Sequence, residues 1–594
     1  MHRFFGNKNL SPMGTRPANS SGHGGGVRGD DAPGGSPHFE GRFGRMFRTL
    51  PAAQFDIGDL EALASAMSAG AEKDASGTKP AAAKEQDSTA TSRFDDAEEN
   101  SGIDAGYTYL GQFIDHDMTL DTESSMQKQN DPEGIINFRT PRLDLDCLYG
   151  RGPGDQPYMY DNDGRKFLLG KAMTMGTQAS STFDLPRYRD GAPNAKARAL
   201  IGDKRNDENV IVSQLQSAML QFHNRLAQDN EKWSFAEVQR MVRWHYQYVV
   251  INDFLPRMVG EDMKHSILPH LKSGDIFTNP PKLRFYHPKQ QSFIPIEFSA
   301  AAYRFGHSMV RPIYRLNTNH QGGQNPLSAT QDEIDRGLAG RFFIFAGVQA
   351  RGLNGFDEPS TDFAIDWSLY FDINNSIAQV GKARVQPSYK LDTALVNPLE
   401  FLPEFSADAL SKGTPLTLTT LVPPELPVVP KAVRNLGERN LKRGAMMGLP
   451  SGQDVARAMG VKPIADKDLL IGKATFENAL DTTAPAEKRN KSITKVSTKF
   501  AGNAPLWFYV LAEALDSWKK RVVKEGKANK PEAADRVPVT LGPVGGRIVA
   551  ETIVGLVIGD SHSYLRQDPN WKPLIPVSGV KLSMGDIIKY ALDL

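Results

Sequence analysis

Cysteine is almost missing from this chain: Cys147 is the only one in 594 residues, so no intrachain disulfide can form. Secreted proteins commonly spend cysteines on bridges, and a chain that does not is expected in the cytoplasm. The first residues, MHRFFGNKNLSPMGT, lack the apolar stretch and small-residue cleavage site of a secretory leader. Export by a leader-independent route is left open by both observations. Long apolar runs are missing too. Ile553 to Ile558 is among the longest, far below the ~20 residues of a membrane-spanning helix. There is no charge excess: Lys+Arg 70 against Asp+Glu 69 gives +1, which argues against nucleic acid as a partner. No internal repeat is visible.

What remains is an ordinary globular composition, 40% apolar and 23% charged, with length enough for a large core. Residues 1–104 read as a low-complexity, largely flexible arm, rich in Gly, Ser and Pro between Gly22 and Gly35 and in Ala, Lys, Asp and Glu at 70–100. One apolar-periodic piece inside it, Leu50 to Met67, suits a docked helix. Residues 105–594 form the expected main domain. Helical spacing recurs at Val210–Ala227, Phe235–Phe254, Ala300–Met309 and Ile548–Val557. Strand-like pieces such as Leu416–Leu421 are short, and Pro280–Pro281 and Pro423–Pro430 break the chain. The fold class expected is mainly α: one large helical domain with long loops and little β-structure.

Four segments carry chemistry. Gly111-Gln112-Phe113-Ile114-Asp115-His116-Asp117 sets a histidine between two carboxylates. Alone, it passes for a solvated helix end, or for a metal site. Successive helical residues point about 100° apart, which gives Asp115, His116 and Asp117 separate partners. Arg205-Asn206-Asp207-Glu208-Asn209 precedes a helix holding Phe222-His223-Asn224-Arg225 and reads as a polar helix start. Tyr303-Arg304-Phe305-Gly306-His307 places a histidine in an apolar stretch, where a satisfied core histidine is the plain reading. The glycine beside it leaves room for a large flat group. Asn440-Leu441-Lys442-Arg443, ahead of Met447-Gly448-Leu449-Pro450, could be a loop.

Together and in this order, the four resemble the animal haem peroxidase family, which includes myeloperoxidase, lactoperoxidase and, more distantly, the cyclooxygenases. The resemblance spans roughly residues 105 to 560. It implies an enzyme, a haem peroxidase that reduces hydrogen peroxide and oxidises small donors (phenols, halides or thiocyanate) through a high-valent iron-oxo state. By the same resemblance His307 ligates the iron of haem b, and Asn440 accepts a hydrogen bond from its other ring nitrogen. His116 takes and returns the peroxide proton, Arg205 stabilises the departing oxygen, and Gln112, one turn before His116, orients water or a small anion. Arg443 and Arg304 belong to the haem-binding set, Arg443 as a propionate partner.

Asp117 resembles a calcium ligand, with Thr140, the Arg142 carbonyl, Asp144 and Asp146 supplying oxygens from a strand curling round Ca2+. The family's last side-chain ligand is usually a serine, and Asp146 stands there instead. Asp115 and Glu208 match positions where mammalian members bond haem through esters. The third family link, through a methionine, cannot form because the position is Asn209. That departure favours bromide, iodide, thiocyanate or phenols over chloride. Two alternatives are a fatty-acid dioxygenase of the same superfamily and a non-catalytic haem- or calcium-binding interaction protein. Dioxygenases carry a radical-forming tyrosine three residues before the iron-ligating histidine, where this chain has Arg304.

Overall fold

A computed structural model describes residues 41–68, 97–120, 136–137, 139–191, 195–288, 291–319, 341–345, 353–373, 384–396, 399 and 435–594. The element order is overwhelmingly helical, and the strands are of two to six residues. The stretch read as an arm holds packed pieces. Strand Gly41–Gly44 pairs with Ile136–Asn137 and with Ile294–Pro295. Helix α1, Ile57–Met67, buries Leu60, Leu63, Ala64 and Met67 at helical spacing. Strand Glu99–Asp104 pairs with Pro387–Tyr389. The docked helix expected within Leu50–Met67 is thus present. The arm reading is corrected for 41–49 and 97–104, where short segments are ordered because the main body supplies their partner strands. The expected strand Leu416–Leu421 lies outside the described residues.

α2, Gly106–Met118, is amphipathic in an unusual way. Leu110, Phe113, Ile114 and Asp117 are fully buried, while Gln112 and Asp115 stay partly open. It packs on α3, Val210–Asp229, around which much of the core is built. α3 is buried on nearly every face, and the Asn209 side chain caps it by accepting from the amides of Ile211 and Val212, at 3.1 and 2.9 Å. α4, Phe235–Val249, starts on a capping box between Ser234 and Glu237. The helical spacing through Phe254 holds, but over Val250–Phe254 the turns widen to a π-helix before Pro256 enters the next helical piece.

Residues 300–309 depart from the α-helical expectation. Ala302–Met309 is a 3₁₀-helix, in which residues three apart eclipse. Arg304 and His307 therefore point the same way. Against this segment pack α5, Leu436–Met446, by way of the Asn440 side chain, then α6, Leu506–Lys524, and α7, Pro543–Gly559. The helices α6 and α7 approach closely because Gly545 has no Cβ, and one built there would lie 2.6 Å from Val510 Cγ1. α8, Met584–Leu592, closes the core over α3. No described helix is long and apolar enough to cross a membrane.

Candidate active site

His116 stands near the C-terminal end of α2, almost wholly buried. Its Nδ1 lies 2.6 Å from Oδ1 of Asn206, whose own Nδ2 donates to Gln216 Oε1 at 2.8 Å. An amide oxygen can only accept, so Nδ1 carries the hydrogen and Nε2 keeps its lone pair. Nε2 makes no hydrogen bond among the described residues. Burial, helped by the Arg205 charge, pushes the imidazole down to about 4, so it is neutral at ordinary pH.

Arg205 is close by, although its guanidinium serves the end of α2 more than the imidazole. Nε and Nη2 bond Asp203, and Nη2 also bonds the carbonyls of His116, at 3.0 Å, and of Thr119. Only Nη1 is left without a bond among the described residues. Burial would raise the Asp203 carboxyl, but Arg205 and Arg139 outweigh it and hold it well below the usual range. Gln112 is likewise held. Its Nε2 donates to Glu208 at 2.9 Å and its Oε1 accepts from Asn209 at 3.2 Å. Asp115 accepts from the Thr119 hydroxyl and lies close enough to Tyr303 and Arg304 to act on their ionisation.

His307 stands on the 3₁₀-helix, which packs directly on α2. Tyr303 ties the two elements, its hydroxyl donating to the Gly111 carbonyl at 3.3 Å while its ring stacks on Phe298. Nδ1 of His307 meets Nδ2 of Asn440 at 2.8 Å. This corrects the expected polarity. The Asn440 oxygen is taken by Arg304 Nη1, also at 2.8 Å, so the amide presents its NH2 to the ring rather than accepting from it. Burial, then the charges of Arg304 and Arg439, push His307 down to about 3. Burial, with Arg443 and Arg439 nearby, lowers Arg304 to about 10. Arg304 and Arg439 thus set positive charge beside His307, and Arg443 adds to it beside Arg304. A Cβ built on Gly306 meets nothing within 4 Å. Open space at Gly306, a cluster of guanidiniums and an imidazole are features that fit an anionic flat macrocycle such as haem.

On the core side of α2, Asp117, Asp144 and Asp146 converge, with ligand oxygens within 4.8 Å of one another and all three residues buried. Both oxygens of Asp117 and Oδ1 of Asp144 are buried without a hydrogen bond. Burial, then Asp144 and Asp146, push the Asp117 carboxyl well up. Hard oxygens crowded in this way fit a divalent cation such as Ca2+. The backbone there is no extended strand, as the spacing suggested, but a tight bend. Arg142 N–H donates to the Thr140 carbonyl at 2.8 Å, and Leu145 takes φ 60 before the short helix Asp146–Tyr149. The Thr140 hydroxyl points at the cluster by donating to Asp144 at 2.6 Å, while the Arg142 guanidinium acts on Asp144 as a charge.

Four site residues escaped the sequence reading: Arg139, Asp203, Asn206 and Arg439. Arg139 ties the end of α2 to the Asp203 segment and to the acidic cluster, bonding the His116 carbonyl at 3.1 Å, Asp203, and Asp146 at 3.4 Å. Asn206 lay within the motif but showed no special signal.

The animal haem peroxidase family model matches residues 122–340. Over that stretch, well under half of the chain, the sequence is similar to the animal haem peroxidases. The matched stretch includes Arg205, Glu208 and His307, and the fold brings His116 and Asn440 to it from outside. Thyroid peroxidase of Rattus norvegicus is 27% identical over 207 residues, 32% of this chain and 21% of that protein. A peroxidase-like protein of Margaritifera margaritifera is 28% identical over 327 residues, 46% of this chain and 39% of that protein. The chain thus spans well under half the length of these curated relatives. Peroxidase A from Dictyostelium discoideum shares the fold, with TM-score 0.53 and 14% identity over 96% of each chain.

Proposed function

We propose that this chain is a haem-dependent peroxidase that reduces hydrogen peroxide and oxidises small donors, with phenols, bromide, iodide and thiocyanate ahead of chloride. One observation carries the reading. His116 is held by Asn206 as a neutral imidazole with its Nε2 lone pair open, and a second histidine stands on the 3₁₀-helix packed against the same helix α2. His307 would hold the iron, with Arg304, Arg439 and Arg443 about the carboxylates. Bound haem supplies the iron at which peroxide gives up its O–O bond.

The chain's own work is proton handling. His116 Nε2 takes the proton from one peroxide oxygen and delivers it to the other as that oxygen leaves. Peroxide gains two electrons and two protons and departs as two waters, while two phenol molecules lose one electron each. Nη1 of Arg205 is the charge available to the departing oxygen. Asn209 occupies the position of the family's methionine link, and its side chain is spent capping α3 and on Gln112. Asp115 and Glu208 are the ester candidates. Ca2+ held by Asp117, Asp144 and Asp146 would brace α2 beneath His116. The Tyr303 hydroxyl is buried against Gly111, and Arg304 occupies the place of the dioxygenase tyrosine, which favours a peroxidase over that alternative.

The test compares wild type and His116→Ala, both loaded with haem. The variant is expected to keep the haem spectrum and lose about 10²- to 10⁴-fold in peroxide consumption with a phenolic donor. Undiminished turnover in His116→Ala would overturn the assignment, and a wild type that binds haem without turnover would mark a carrier.

A further inference from the structure

The two site histidines are held by asparagine amides of opposite orientation. At His116 the amide offers its oxygen; at His307 it offers its nitrogen. Arg304 imposes the second arrangement. A guanidinium only donates, so the Asn440 atom 2.8 Å from Arg304 Nη1 has to be the oxygen. Nδ2 is then left for His307 Nδ1, which accepts. In an imidazole that accepts at one nitrogen, the hydrogen resides on the other. Nε2 of His307 therefore carries N–H and has no lone pair to give a metal.

Arg304 has reason to leave. Its Nε donates to the Ser299 carbonyl at 2.9 Å and Nη1 to a neutral amide, both uncharged acceptors. Arg443 and Arg439 stand beside it as like charges, only partly offset by Asp115, which makes no hydrogen bond to it among the described residues. A carboxylate forms hydrogen bonds with a guanidinium about twice as strong as a neutral acceptor does. Once a carboxylate takes Nη1, Asn440 can turn its amide over and present Oδ1 to the ring. The Nε2 proton then passes to water, Nδ1 acquires one in its place, and the Nε2 lone pair is exposed.

We propose that Arg304 is a positioning residue that sets the tautomer of His307 through Asn440, so that His307 ligates iron only after a haem propionate has drawn Arg304 away. This rests on the haem reading above. The eclipsed placement of Arg304 and His307 on a 3₁₀-helix is what brings both onto one amide. Carboxylate recognition and metal ligation are thereby one event, and a macrocycle without free carboxylates fails at the second step.

The experiment titrates full-length protein with haem and with haem dimethyl ester, and reads histidine ligation from the optical spectrum and the iron–histidine stretch. Wild type is expected to ligate haem and to hold the ester about 10-fold more weakly or worse. Arg304→Met frees the Asn440 oxygen, and should bind the ester about 10-fold more tightly than wild type does. An Arg304 that merely anchors a propionate predicts no gain for the ester, and that result overturns the proposal. Asn440→Asp supplies a second variant should Arg304→Met not fold. Its carboxylate keeps the Arg304 pair yet can only accept from Nδ1, so the ester should be ligated as well as haem. Equal ligation of haem and ester by wild type also overturns the proposal. A wild type that takes no haem at all defeats the peroxidase reading itself, and the proposal with it.

Discussion

Oδ1 of Asn206 lies 2.6 Å from Nδ1 of His116, and this contact decides which ring nitrogen is the base. Asn206→Leu removes the acceptor and lets the imidazole rotate or change tautomer. The rate of peroxide consumption by haem-loaded protein should fall about 10-fold or more, a part of the 10²–10⁴ a positioned base contributes. Asn206→Asp still accepts at that nitrogen and should lose less. Stopped-flow mixing with peroxide gives both rates, and equal losses in the two variants would contradict the tautomer argument.

The acidic cluster under α2 predicts a calcium-dependent stability. Three buried carboxylates repel one another without a cation, so Ca2+ at 100 times its dissociation constant should stabilise by about 2.7 kcal/mol. Thermal unfolding with calcium and with chelator should differ by about 2 °C. In Asp117→Asn, which removes one carboxylate of the cluster, the difference should shrink or vanish. An unchanged calcium response in that variant would place the ion elsewhere.

Asp115 and Glu208 are both only partly buried. Haem-loaded protein treated with peroxide is expected to retain part of its haem on denaturing chromatography. Asp115→Asn and Glu208→Gln should each lower the retained fraction, and the double variant should release all of it. Complete extraction from treated wild type would exclude ester links.

Away from the site, His245 predicts a pH window. Nδ1 lies 2.7 Å from the Met241 carbonyl, and Nε2 accepts from the Leu574 amide at 3.0 Å. Only the neutral ring does both. Burial pushes it down to about 4, against an unfolded value near 6.5. The folded form binds the proton less well, so the stabilisation is whole above about pH 6.5 and lost as pH falls toward 4. Over that window the loss is about 3 kcal/mol. His245→Phe should be less stable than wild type at pH 7.5, and the gap in melting temperature should close toward pH 4.5. A gap independent of pH would show that the ring does not titrate as described.

The helices were legible because each carries its own signal: apolar spacing marks Val210–Ala227 and Phe235–Phe254 without any knowledge of what they touch. Asp117, Asp144 and Asp146 were legible as a set only through the family pattern, and the structure brings them together along a bend rather than a strand. Arg139 gave no signal, since its value comes from meeting the His116 carbonyl and Asp203 across 23 and 64 residues. The polarity of Asn440 was misread for a similar reason. It depends on Arg304, 136 residues away, and on a 3₁₀ rather than an α turn. Within the N-terminal stretch α1 was legible from its apolar spacing, whereas strands Gly41–Gly44 and Glu99–Asp104 were not, because their order comes from partners far along the chain.

Arg45 bonds the carbonyls of Met447 and Gly448, at 2.8 and 2.9 Å, and so closes the C-terminal end of the helix that carries Asn440. These partners are 402 and 403 residues apart in sequence. At roughly 5–20 residues per second, a ribosome releases Arg45 on the order of tens of seconds before its acceptors exist. The helix that brings Asn440 to His307 can therefore be closed only after residue 448 has been made, and a nascent chain stalled before that point has His116, Arg205 and Asn206 but no completed support behind His307.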